Sequence, residues 1–165
     1  SHPTATSPRT PPLGTKRTSD LHTFPNGDAM NSIAIGATVL VLLRQVVAQL
    51  HGMAHEEVGV GLAPWQWAFV YIVIVAAPIV AVVLYWTRWS QWGAILLGVT
   101  MPAGMLFGIY YHFIAISPDN VRHLPGEHGH AFFIATAAAL VPLELACTIY
   151  AWWSLRRIRG VPTSD

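Results

Sequence analysis

Histidine is the residue type in this chain best suited to chemistry, and six of its eight copies fall at or just beyond one end of long apolar runs: His51, His55, His112, His123, His128 and His130. A neutral imidazole binds transition metals and a titrating one moves protons. His51 and His55 stand four residues apart, a spacing that lets one helix turn give two nitrogen ligands to a single ion. His112 and His130 are placed to approach from two other segments at similar depth, and Glu56 and Glu57 could add oxygen. The candidate metal ligands are therefore His51, His55 and His112, and the candidate cofactor-binding set adds His130. Haem, a chlorophyll-type pigment or a transition metal would each accept imidazole nitrogen. The H-E-x-x-H protease motif is absent, because Gly59 stands where its second histidine would fall. Met101 and Met105 would suit copper(I), although methionine on a helical stripe is usually packing.

A second pair carries charge where charge is costly. Apart from His112, Arg44 and Glu144 are the ionisable residues deep inside the apolar runs. A lone charge near a bilayer centre costs at least ~2.5 kcal/mol, so such residues face the protein interior and find partners. An Arg44–Glu144 ion pair is the simple solution, structural in its plainest reading and a step in a proton path or a cofactor contact in its functional one. Counting inward from the ends of the apolar runs puts Glu144 about 10 Å deeper than Arg44, so the pair is expected to need an extended arginine or a bridging water. Cys147 is alone, which excludes a disulfide framework and a thiolate zinc site and makes it a packing residue.

The elements that must position these groups follow from composition. Apolar residues make up 53% of the chain and charged residues 10%, against about a quarter charged in soluble domains. Four runs, 32–50, 65–86, 93–116 and 131–153, lack or nearly lack charge and approach or exceed the ~20 residues that cross a hydrocarbon core. None alternates as a membrane strand would, so a β-barrel is excluded and the fold class is all-α, an integral membrane four-helix bundle. Helical spacing aligns Arg44, Ala48, His51 and His55 in the first run, Met101, Met105, Gly108 and His112 in the third, and His130, Ala137 and Glu144 in the fourth. These faces are expected to meet in the bundle interior, with Gly104 and Gly108 allowing close helix approach. Pro78, Pro102 and Pro142 interrupt three of the runs, as kinks that open a cavity or as ordinary membrane prolines. Residues 117–129 read as a compact cap over the histidine rim.

Seven of the nine basic residues lie before the first run, between the second and third, or after the fourth, which predicts a bacterial inner membrane protein with both termini cytoplasmic. The tryptophans at the run ends suit headgroup depth, and the histidine rim then faces outward. Residues 1–30 form a proline-, serine- and threonine-rich tail that is disordered alone or ordered by a partner, 31–156 form the bundle, and 157–165 a cytoplasmic C-terminal tail. Phosphate-binding loops, dinucleotide fingerprints and nucleophile elbows are missing, and nothing supports nucleic-acid binding.

The strings LHGMAHEEVGVGL, VAAPIVAVVLYWTR, FGIYYHF and SPDNVRHLPGEHG resemble an uncharacterised family of small bacterial four-helix membrane proteins over residues 47–153. That resemblance implies four helices in a bacterial inner membrane and transfers no mechanism; the tail departs from it. Two classes of function remain. The first, preferred on sequence, is a non-catalytic accessory subunit of a respiratory or photosynthetic type of membrane complex, in contact with the lipid bilayer and with other subunits through its helices and tail. The second is a small haem-, pigment- or transition-metal-binding membrane protein using the histidine rim.

Overall fold

The computed structural model describes residues 26–125 and 128–160, and they are helical throughout apart from turns and loops. Four helices are long and apolar enough to cross a membrane: α1 (Asn26–Glu57), α2 (Pro64–Tyr85), α3 (Ser90–Ile114) and α4 (His130–Arg159). Expectations for residues 1–25, 126–127 and 161–165 lie outside the described residues. Both edges of the expected bundle move outward, since α1 begins at Asn26, inside the segment set apart as tail, and α4 continues to Arg159. Large apolar side chains such as Ile72, Leu106 and Ile149 are exposed all around the four helices, a surface suited to hydrocarbon rather than water.

Local sequence explains how each helix starts, stops and deforms. Asp28 sits in the first turn of α1, where a carboxylate complements the positive end of the helix dipole. The 32 residues of α1 reach about 48 Å, well beyond the ~30 Å of a hydrocarbon core. After Glu57 the chain turns away at Gly59, whose φ of 70° is left-handed, while the Val60 N–H closes back on the His55 carbonyl at 3.1 Å. Pro64 then opens α2, where a missing N–H costs nothing, and the Gln66 side chain accepts the Ala63 N–H at 2.7 Å.

Two helices widen into π-helical segments, Val70–Ala76 in α2 and Tyr110–Ile114 in α3. The first has a visible cause in Pro78, which has no N–H to offer the carbonyl four residues back, that of Ile74. That carbonyl and its neighbour on Val75 are released toward the interior, where α1 uses them. The second ends as the Ala115 N–H reaches back five residues to Tyr110 at 2.7 Å, and it carries His112.

The core lies mainly in the half of the bundle that holds the α2–α3 turn. There Ile33, Ala37, Val41, Ala81, Leu97, Met101, Cys147 and Ala151 pack tightly, and Cys147 is indeed buried there. A smaller cluster at the opposite end, Ala54, Val58, Val60, Leu124 and Phe133, pins the cap to α1. Gly129 supplies the left-handed residue that starts α4 at φ 78°, and a Cβ there would sit 3.1 Å from Glu57 and Val58.

Candidate metal centre and the cavity behind it

Three imidazoles converge between α1 and α3. The rings of His51 and His55 are 4.8 Å apart between centroids, His51 and His112 4.9 Å, and His55 and His112 5.5 Å. One nitrogen from each ring lies within 4.8 Å of the others. Phe133, fully buried on the first turn of α4, closes the trio from one side with its ring 4.8 to 5.2 Å from all three.

Hydrogen bonding orients two of these rings. His51 Nδ1 lies 3.0 Å from the Thr136 hydroxyl, which also reaches the carbonyls of Phe132 (2.8 Å) and Phe133 (3.0 Å). His112 Nδ1 faces the Asp119 carbonyl at 3.1 Å, which can only accept. A neutral His112 therefore carries its lone pair on Nε2, and this atom faces His51 Nε2 at 3.1 Å. The third ring, His55, has a buried Nδ1 with no hydrogen-bond partner. Nitrogens bound to one tetrahedral ion at ~2.0–2.1 Å lie roughly 3.3 Å apart, so the His51–His112 edge already has coordination length.

The cap supplies the orienting group. Its Val121 N–H bonds the His112 carbonyl at 3.0 Å and Asn120 Nδ2 bonds the Ala115 carbonyl at 2.6 Å, which folds residues 117–121 back on the end of α3. Asp119 is buried there, with Oδ2 unpartnered. Burial pushes its carboxyl above the usual carboxylate range, with the nearby His112 pulling the other way.

Behind the histidines a cavity of about 410 Å³ extends along the bundle to Arg44 and Glu144. Its lining contains Ala48, His51 and His55 of the α1 stripe, Met105, Gly108 and His112 of the α3 stripe, and Ala137 and Glu144 of the α4 stripe, so these faces meet as their spacing predicts. Met101 leaves its stripe for the apolar core, which removes it from any copper site. His130 also falls outside the trio: it contacts the Pro125 carbonyl at 3.3 Å. The reason is depth, because His51 is level with Thr136, six residues or about 9 Å further into α4 than His130. Glu56 reaches the cavity mouth but is not part of the converging group, and Glu57, His123 and His128 are exposed.

Arg44 and Glu144 form a direct ion pair, both almost fully buried. No bridging water or unusual reach is needed. The expected 10 Å offset came from ending the first run at Leu50; with α1 carried to Glu57, Arg44 lies 13 residues from its helix end and Glu144 14 from the start of α4. Arg44 Nη1 also donates to the Ile74 carbonyl at 2.6 Å and to Gln45 Oε1 at 2.9 Å, while Gln45 Nε2 bonds the Val75 carbonyl at 2.8 Å. The opening of α2 at Pro78 thus gives the arginine a backbone acceptor in addition to Glu144. Gly104 makes room for it, since a Cβ there would be 3.0 Å from Glu144 Oε1 and 3.6 Å from Arg44 Nη2.

Asp119, Thr136, Phe133 and Gln45 were not singled out by sequence reasoning. Residues 117–129 were expected to fold as a cap, but nothing in that pattern pointed from Asp119 to His112. Comparison with protein-family models, characterised proteins and solved structures returns no match to this chain.

Proposed function

We propose that this chain is a multi-pass membrane protein that binds one divalent transition-metal ion, of the zinc or copper type, through His51, His55 and His112. The observation that carries the reading is the convergence of three imidazoles, one nitrogen of each within 4.8 Å of the others, with the Nε2 atoms of His51 and His112 3.1 Å apart and the other nitrogen of each ring held by Thr136 or by the Asp119 carbonyl. Metal-bound histidines are characteristically oriented in this way, by a carbonyl or hydroxyl on the other nitrogen. A shared proton would relieve two nitrogens, whereas the third imidazole, with its own unpartnered Nδ1, calls for a centre that takes three. An all-imidazole set favours zinc, copper, iron or nickel over magnesium or calcium. Haem and chlorophyll-type pigments fit less well, because rings that approach to 3.1 Å leave no space between them for a macrocycle.

Three protein ligands leave a coordination position free, and the cavity is the space next to it. The lysine and arginine distribution supports an orientation with both termini inside a bacterial inner membrane and the histidine end outside, from which the ion would be loaded. The accessory-subunit reading draws no comparable support, because the apolar faces the helices expose are those any such bundle turns to lipid. Chelator-stripped protein titrated with zinc or copper by calorimetry should bind one ion per chain, and His51→Ala or His112→Ala should abolish the binding. Full stoichiometric binding by the double variant would end the proposal.

A further inference from the structure

The cavity floor is the other chemically distinctive surface of the molecule, and it stands two helical turns below the histidines. A volume of about 410 Å³ falls within the ~300–1,000 Å³ range of small-molecule sites. The walls are apolar, formed by Val70, Ile74, Phe107, Leu140 and Val141. Past the ion pair the bundle is filled by Val41, Leu97, Met101 and Cys147, each at most 2% exposed, so among the described residues the space is a pocket entered from the histidine end and not a conduit.

The floor is polar without being charged overall. Arg44 and Glu144 cancel, and both line the cavity. Arg44 Nε–H has no partner, and Glu144 Oε2 receives no hydrogen bond from the described residues. A donor-only guanidinium paired with an acceptor carboxylate on one cavity lining is the complement of a hydroxyl, which both gives and accepts a hydrogen bond. A carboxylate here would oppose Glu144 and an ammonium would oppose Arg44, and either would split a buried ion pair. We propose that the cavity binds a neutral, largely apolar molecule carrying a hydroxyl group, an alcohol or a phenol, with the hydroxyl between Arg44 and Glu144 and the body along the apolar walls. The proposal does not depend on an ion at the histidines.

The test uses full-length protein in one detergent, stripped of metal, with the thermal midpoint followed against para-hexylphenol, hexylbenzene and para-hexylbenzoate. The phenol should raise the midpoint in a saturable manner and bind roughly tenfold tighter than hexylbenzene, with the benzoate no better than hexylbenzene. Gly108→Leu should abolish the shift while melting cooperatively itself, because a Cβ at Gly108 meets only His112 Cδ2 at 3.9 Å and a longer side chain would enter the open space. Gly52→Leu, at a lining position with nothing within 4 Å of its Cβ, is the second filler should the first not fold. Equal shifts from phenol and hexylbenzene, tightest binding by the benzoate, or a phenol shift unchanged by a folded filler would each overturn it. Because the protein is stripped, failure of the metal reading leaves this result intact.

Discussion

The two halves of the bundle are built from similar small residues and put them to opposite use. In the half with the α2–α3 turn, Gly93 lets backbones meet: a Cβ there would lie 2.7 Å from the Ala81 carbonyl oxygen. Ala34, Ala37, Ala81, Ala94 and Ala151 are likewise buried, and Leu97 and Met101 fill what remains. Its polar groups are satisfied in place, as with the Tyr85–Ser154 hydroxyl pair at 2.6 Å. In the histidine half, Gly52 and Gly108 have no such close neighbours, and Gly104 yields its volume to an ion pair. Small residues on a membrane helix therefore draw helices together only where large apolar groups stand ready to fill the gaps. Where polar groups and a released carbonyl stand opposite instead, the same residues leave a cavity.

The largest effect should come from the ion pair that closes the open half. Arg44→Ala or Glu144→Ala should each cost about 3–5 kcal/mol in a detergent unfolding assay, because each strands a buried charge. The double substitution should cost less than the sum; strict additivity would show that the two do not act as a pair.

Glycine substitutions compare the halves directly. Gly93→Ala should lose about 1–3 kcal/mol, since the new Cβ meets a backbone carbonyl that cannot step aside. Gly108→Ala should be neutral or stabilising by roughly 0.5–1 kcal/mol, as for a helix glycine with free space beside it. Equal losses at both positions would mean that the histidine half is as closely packed as the other.

A smaller effect should appear at Asp119. Burial raises this carboxyl in the folded chain above its unfolded value of 3.8, so the fold holds the proton more tightly. Its contribution is then fully present below the unfolded value and is lost as pH rises through the folded one. In chelator, the stability of the wild type relative to Asp119→Asn should therefore decline as pH climbs from about 4. A pH-independent difference would place the carboxyl in water. With zinc present, Asp119→Asn should leave the ion bound, because the group that orients His112 is the backbone carbonyl of residue 119, which the substitution keeps.

What the sequence revealed and what it hid divide along physical lines. Four charge-poor runs were enough to count the helices, because crossing a hydrocarbon core is a local property of composition. Their ends were not legible from hydropathy, since α1 stays helical through its polar last two turns, His51 to Glu57, past the end of its apolar run. That error alone displaced Arg44 from Glu144. The α1 stripe of Arg44, Ala48, His51 and His55 was readable because helical periodicity is strict. Asp119 and Thr136 were not, because their closeness to the histidines depends on how the cap folds and how α4 slides against α1. Pro78 offered a clue that could have gone further: a proline releases the carbonyl four residues earlier, and that atom, on Ile74, is the one Arg44 takes.

The central claim is that three imidazoles share one ion at the mouth of the cavity. X-ray absorption on zinc-loaded protein reads this most directly, through the number and type of scatterers around the metal. Three imidazole nitrogens at about 2.0–2.1 Å with one further light ligand are expected, and loss of the bound ion in His51→Ala and in His112→Ala. A shell containing sulfur, or one with a single imidazole that persists in both variants, would contradict it.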